Sequence, residues 1–281
     1  MKLLDAVGRR SASLRLRRKS EKTIRWYEMW LNDLARSLSL NELERVSLAD
    51  LRAWLGGLIA RGLKPHSIDG AYRSARAFFR WCVAEGLRAD DPTARLERPG
   101  LPKRIPKPLP PEVVQQLINV AAGSENPQRD QALLMFLSDT GVRLGEVCSL
   151  QPADVDLAVC SATVIGKGDQ ERWVFYSEGT CQALETWLAV RPSSAANLFN
   201  LGYYGVGELL RRLTERAHIT GVRVHPHAFR KTAATRYAEE LDPHTLMQLF
   251  GWKQLKTSED YVYHSRARLA QRARAVLQRG G

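Results

Sequence analysis

The sequence predicts a mostly α-helical protein in two units, the second of which carries a small antiparallel β-sheet. Three observations carry that prediction. Apolar residues recur at alternating spacings of three and four through residues 20–96, with no strand pattern between them. Residues 97–111 then hold six of the chain's 13 prolines and cannot continue a helix. Beyond them, two β-prone runs, Ala162-Thr163-Val164-Ile165 and Arg172-Trp173-Val174-Phe175-Tyr176, flank Gly166-Lys167-Gly168-Asp169 in an otherwise helical region.

Length and composition set the frame. At 281 residues the chain is long enough for two domains, and 44% hydrophobic with 26% charged residues is ordinary globular composition. No apolar run approaches the roughly 18 residues of a membrane span, and no secretory apolar segment follows the basic N-terminus. The four cysteines, Cys82, Cys148, Cys160 and Cys181, form no C-x-x-C pair, which suits reduced thiols in a cytoplasmic protein. The net charge of +12 favours a polyanionic partner, because bound lysines and arginines release counterions condensed on phosphates. Residues 1–103 hold 21 Lys and Arg against 12 Asp and Glu, so they carry +9 of that charge.

In chain order, residues 1–19 read as a mobile basic arm with a cluster at Arg15, Arg17, Arg18 and Lys19. Ser20 is an N-cap for a helix with Ile24, Tyr27, Leu31, Leu34 and Leu38 along one face. Ser47 caps a second helix (Leu48, Leu51, Leu55, Leu58) that stops at Gly62. A third follows Pro65-His66-Ser67, with Ile68, Tyr72, Ala75, Phe79 and Val83 inward, and ends at Gly86. Residues 20–96 are thus expected to form a helical bundle whose aromatic residues are core. Lys64, Arg73, Arg76 and Arg80, with Arg61, would make a basic ridge for a phosphate backbone. The segment 97–111 reads as a basic linker, with Lys103, Arg104 and Lys107 placed to run along a polyanion.

Residues 112–281 form the second unit. Pro111 opens a helix with Val113, Val114, Leu117, Ile118 and Ala121, and a buried helix runs from about Gln128 to Ser138. A short helix covers Leu144–Leu150, and the β-hairpin follows. Later helices are expected at 179–190, 205–218, 226–240, 243–250 and 264–279.

Chemistry-bearing residues cluster in this unit. Arg143 follows a helix-ending glycine and Arg230 sits at a helix start, and two planar guanidiniums match the oxygens of a phosphodiester without a metal. Lys167, at a hairpin tip, can reach a leaving oxygen as general acid. His225-x-His227 lacks a carboxylate or cysteine at ligand spacing, so no metal is expected. His227 lies one turn before Arg230 and suits acid/base work. The indole N–H of Trp252 can donate to a phosphate oxygen. Tyr261 is the candidate nucleophile, and Tyr263 would serve the same chemistry.

The order and spacing of these residues resemble the tyrosine recombinase (phage integrase) family. Its T-G-x-R-x-x-E reads here as Thr140-Gly141-Val142-Arg143-Leu144-Gly145-Glu146, its hairpin G-K-G as Gly166-Lys167-Gly168, and its H-x-x-R as His227-Ala228-Phe229-Arg230. Gly251-Trp252 and then Tyr261, nine residues on, complete the series. The resemblance implies a helical, SAM-like core-binding domain before a catalytic domain of the DNA breaking-rejoining type, the two forming a C-shaped clamp. It implies a site-specific recombinase acting on double-stranded DNA without cofactor, metal or ATP. Arg143 and Arg230 would bind the scissile phosphate with Trp252, Lys167 would protonate the 5′-oxygen, His227 would transfer protons, and Glu146 would support them. Tyr261 would form the 3′-phosphotyrosine.

A C-terminal helix at 265–277 would dock on a neighbour in a tetrameric synapse or pack in cis, and the free protein's state stays open. Lys231, where many members have histidine, and Phe250, where leucine is common, depart from the family pattern; Lys231 is carried as a DNA contact. A type IB topoisomerase-like relaxing enzyme and a catalytically silent DNA-binding architectural protein are the competing readings. The filled catalytic positions and the compact two-domain layout favour the recombinase.

Overall fold

The computed structural model describes the chain except residues 39–41, 103–107, 167–169, 264–269, 271–273, 275–277 and 279–281, and except the side chain of Tyr263. It divides into two compact units, Met1–Arg104 and Ile105–Gly281.

The first unit is all helix: α1 (Leu3–Leu16), α2 (Glu21–Ser37), α3 (Leu48–Ala60) and α4 (Pro65–Ala84). Its helix ends follow local chemistry. The Ser20 hydroxyl accepts from the Thr23 amide, and Ser47 and Asp50 cap each other reciprocally. Gly62 and Gly86 take the left-handed conformation after α3 and α4, where a side chain would be strained. Leu31, Leu34, Leu51, Leu58, Ile68, Ala75, Phe78 and Phe79 form the core, as the spacing predicts.

Residues 1–19 depart from the expected arm. Leu3–Leu16 is a helix that buries Leu3, Ala6, Val7 and Leu14, and the first three join the core cluster of the unit. These positions recur at i, i+3, i+4 and i+11 and so share one helix face. The arginines between them drew the eye to charge and hid the period. Arg10, on that buried face, stacks over the Trp81 ring with its guanidinium carbon 5.2 Å from the centroid.

The second unit packs α5 (Pro111–Ala121), α6 (Pro127–Thr140), α7 (Leu144–Ser149), α8 (Glu178–Val190) and α9 (Tyr203–Arg216) around a three-stranded antiparallel sheet and a core including Leu133, Phe136, Leu137, Phe199 and Phe229. The strands are β1 (Val155–Asp156), β2 (Ser161–Ile165) and β3 (Glu171–Phe175), in that order, with Thr163 opposite Trp173. Gly166 donates to the Gln170 carbonyl at 2.8 Å where the β2–β3 connection begins. Helices α10 (Pro226–Glu240), α11 (Pro243–Phe250) and α12 (Leu255–Tyr263) close a smaller cluster of Ala233, Ala234, Ala238, Leu246, Phe250 and Val262. The sequence reading placed no helix at 255–263, because Lys256-Thr257-Ser258-Glu259-Asp260 shows no apolar period. Tyr261 therefore stands on a helix. The C-terminal helix expected at 265–277 lies almost wholly outside the described residues.

Candidate active site

The site is assembled where three chain reversals meet. The first is the end of α6. Gly141 leaves it with φ of 57°, and a Cβ there would lie 2.8 Å from the Ala233 Cβ and 2.9 Å from Phe250 Cε1. No other residue fits without displacement. The tight exit places Arg143 at the start of α7, where its amide donates to Glu146 Oε2 at 2.7 Å, the reach-back of an N3 carboxylate. The Arg143 guanidinium then donates to Glu146 Oε1 and to the Gly251 carbonyl, both at 2.8 Å.

The second reversal is the entry to α10. Pro226 occupies the first helical position and fixes the turn that presents His227 and Arg230. Arg230 is 4% exposed, and it donates to the Gly141 carbonyl at 2.8 Å and the Phe250 carbonyl at 2.5 Å. Its guanidinium carbon lies 5.0 Å from the Phe250 ring centroid and 5.6 Å from that of Trp252. Burial, then the neighbouring Arg143 charge, presses the Arg230 pKa down to about 9, with Glu146 acting in the opposite sense.

The third is the end of α11. Gly251, with φ of 57°, turns the chain so that Trp252 stacks on Phe250 at 5.0 Å and on Tyr261 at 5.2 Å, the latter pair within 11° of parallel. Tyr261 is held by this stack beside Arg230. Burial raises its phenol above the ordinary value, and the Arg230 charge works against that rise. His227 keeps an exposed edge, and its ring lies 6.4 Å from that of His225. Desolvation lowers its imidazole pKa, and the positive charges of Lys231, Arg230, His225 and Arg143 lower it further. Glu146 is 4% exposed; burial pushes its carboxyl up, but hydrogen bonds from Arg172 and Arg143 outweigh that and leave it below the ordinary value.

Five of the residues picked from sequence, Arg143, Glu146, Arg230, Trp252 and Tyr261, thus share one linked cluster, with His227 in the field of both guanidiniums. Lys167 lies outside the described residues, but Gly166 beside it lines a cleft of about 780 Å³ with Arg143, Arg172, Gly251, Trp252 and Thr257. Lys103, Arg104 and Lys107 also lie outside them. Of the other expected DNA contacts, Lys231 lies on α10 and the rest sit on or beside α4. Arg73 and Arg80 pair with Asp69 and Asp91 at 2.9 and 3.8 Å, Arg61 pairs with Asp33 at 3.0 Å, and Arg76 donates to the Tyr72 hydroxyl at 2.5 Å. The guanidiniums of these ion pairs are exposed, whereas Asp69 is buried and Asp91 and Asp33 are half-buried. Lys64 is exposed and Lys231 half-buried.

The sequence reading missed Arg172. Its side chain is 10% exposed and donates to both oxygens of Glu146 and to the Leu249 carbonyl. A signal was present: on β3 it shares the phase of buried Val174, where an arginine is unexpected, while Trp173 and Phe175 face outward.

Comparison with known proteins identifies the family. Residues 107–268 match the phage integrase family, and residues 11–86 match the phage integrase N-terminal SAM-like domain. The chain is 30% identical over 272 residues to the tyrosine recombinase XerC of Corynebacterium efficiens, covering 93% of this chain and 87% of the relative. It is 31% identical over 277 residues to the XerC of Corynebacterium glutamicum, covering 95% and 86%. Its fold is similar to that of the Tn1549 transposon integrase in complex with transposon right end DNA, with a TM-score of 0.78, 20% identity, and coverage of 98% and 100%. With its motifs, its fold and these matches in agreement, the chain belongs to the phage integrase family of tyrosine recombinases.

Proposed function

We propose that this protein cleaves and rejoins duplex DNA at a specific site through a covalent 3′-phosphotyrosine. The observation that carries this reading is the linked cluster of Arg143, Arg230, Trp252 and Tyr261, in which the phenol stacks on Trp252 and lies in the field of Arg230, itself beside Arg143. Arg143 and Arg230 receive the scissile phosphate and stabilise the charge that builds on its non-bridging oxygens during attack. The Tyr261 oxygen bonds to phosphorus, the bond to the 5′-oxygen breaks, and the phenol proton leaves to a base. His227, neutral at pH 7 because its pKa is lowered, suits that base. Lys167 protonates the departing 5′-oxygen. A 5′-hydroxyl from a second duplex then displaces Tyr261 by the reverse path, so bond energy is conserved and neither ATP nor a metal is required.

Double-stranded DNA is the partner, and a tetramer assembled on two duplexes is the working form, with cytoplasmic location following from the substrate. Lys64, Arg73, Arg76, Arg80, Lys103, Arg104, Lys107 and Lys231 serve as backbone contacts. The test begins with selection of bound sequences from a random duplex pool. A nicked version of the recovered duplex should then yield a denaturant-resistant protein–DNA adduct in excess EDTA. Tyr261→Phe should abolish that adduct while leaving the dissociation constant within about threefold, since it removes a nucleophile and not a backbone contact. Adduct formation that strictly requires a divalent metal would reject the mechanism.

A further inference from the structure

Among the described residues of the cluster, Arg172 is a largely buried charged residue that the motifs do not contain. Its three hydrogen bonds join three elements. From β3, Nη1 donates to Glu146 Oε1 at 2.8 Å and Nη2 to Glu146 Oε2 at 2.7 Å, a paired contact onto α7. Its Nε donates to the Leu249 carbonyl at 3.0 Å, in the last turn of α11, where carbonyls lack helical partners and a cation is favoured. Its stem fills the space beneath the α11 turn, since a Cβ on Gly251 would lie 3.1 Å from Arg172 Cδ.

Two of these three acceptors also accept from Arg143, and the third lies two residues before another acceptor of Arg143. Glu146 Oε1, which accepts from Arg172, also accepts from the Arg143 guanidinium. Glu146 Oε2 also accepts from the Arg143 amide. The α11 turn that Arg172 supports from Leu249 carries the Gly251 carbonyl, the second acceptor of Arg143, and then Trp252. Arg143 is thus aimed by two acceptors: Arg172 bonds one of them, Glu146, directly and supports the turn that carries the other, the Gly251 carbonyl, through Leu249. A single buried carboxylate between two guanidiniums also fixes the charge balance. Arg143, Arg172 and Arg230 against Glu146 leave an excess of two positive charges, which suits the added negative charge of a five-coordinate phosphorus.

We propose that Arg172 is a positioning residue for strand cleavage, acting through Glu146 and the α11 carbonyl to set the Arg143 guanidinium and the Gly251-Trp252 turn. The proposal rests on the functional reading above. It requires the planar fork of arginine, because an ammonium cannot make two parallel bonds to one carboxylate while reaching Leu249. Removing the fork leaves Glu146 buried with half its partners and frees Arg143 to swing, and a misplacement of about 1 Å in such a group can cost about 100-fold in rate.

The experiment measures single-turnover adduct formation and duplex affinity for the full-length protein, Arg172→Gln, Arg172→Lys, Glu146→Gln and the Arg172→Gln/Glu146→Gln pair. The probe is the nicked duplex recovered by selection. Arg172→Gln should slow adduct formation about 100-fold with affinity within about threefold, and Arg172→Lys should recover no more than about tenfold of that loss. Because both side chains support the same guanidinium, Arg172→Gln should cost less than about threefold once Glu146 is already Gln. A wild-type rate for Arg172→Gln, or losses that multiply in the pair, would overturn the proposal.

A second measurement, on DNA-free protein, is the Nε–Hε NMR correlation of Arg143. Arg172→Gln should move it and Arg172→Lys should move it less; a resonance left in place would overturn the proposal whatever the kinetics. A wild-type chain that forms no adduct would defeat the functional reading instead, while the resonance still decides the part of Arg172.

Discussion

In the proposed mechanism His227 governs how the reaction answers to pH. Desolvation and the surrounding positive charges lower its imidazole below the ordinary value of 6.5, so the neutral form dominates at pH 7. A base must be neutral to accept a proton, so the cleavage rate should rise with pH through that lowered value and level off above it. His227→Gln should cut the rate about 100-fold and erase the acid limb, as read from single-turnover rates between about pH 4.5 and 8. An acid limb centred above pH 6.5 would assign the titration elsewhere. The same sign holds for stability. A histidine whose folded pKa is depressed favours folding above its unfolded pKa, and that contribution is lost as pH falls through the folded one. Gly141 is the other single residue with a sharp consequence. Gly141→Ala demands φ of 57° from alanine and a 2.8 Å approach to the Ala233 Cβ. It should lower the urea midpoint of the chain by the equivalent of about 2 kcal/mol or more.

Elements were legible from sequence where side chains repeat and obscure where they do not. The hairpin, the helix at 226–240 and the helix at 243–250 coincide with β2–β3, α10 and α11, because β-branched runs, Pro at the first helical position and a following Gly mark them locally. Helix α12 was missed since most of its run is polar, and tertiary packing of Val262 and Tyr261 into the cluster with α10 and α11 decides its conformation. Arg172 was missed for a related reason. Its meaning lies in contacts 26 and 77 residues away along the chain, and only strand phase hinted at them. Arg143 and Arg230, by contrast, could be picked out because a helix-ending glycine and a proline-led helix start fix their local geometry, and Glu146 came from the family resemblance. Helix α1 gives the clearest correction, and it makes a prediction at this scale. Leu14 is 3% exposed, so Leu14→Ala should destabilise the first unit by about 2–5 kcal/mol in urea denaturation. An unstructured arm would show no change.

At the scale of the whole molecule, charge and connectivity matter more than any contact. The first 103 residues carry +9 of the net +12, and the guanidiniums of Arg73 and Arg80 are exposed. Affinity for duplex should therefore fall steeply with salt, by about a thousandfold between roughly 50 and 200 mM if six or more phosphates are contacted. A flat response would remove the electrostatic basis of binding. The catalytic reading needs a narrower test, because basic proteins of many kinds bind DNA. Proteolysis of the covalent adduct followed by mass spectrometry of the nucleotide-linked peptide identifies the attacking atom. The peptide carrying Tyr261, with the nucleotide joined to its phenolic oxygen through a 3′-phosphate, is the expected product. A nucleotide linked to Tyr263, to a residue outside α12, or through a 5′-phosphate would contradict the account.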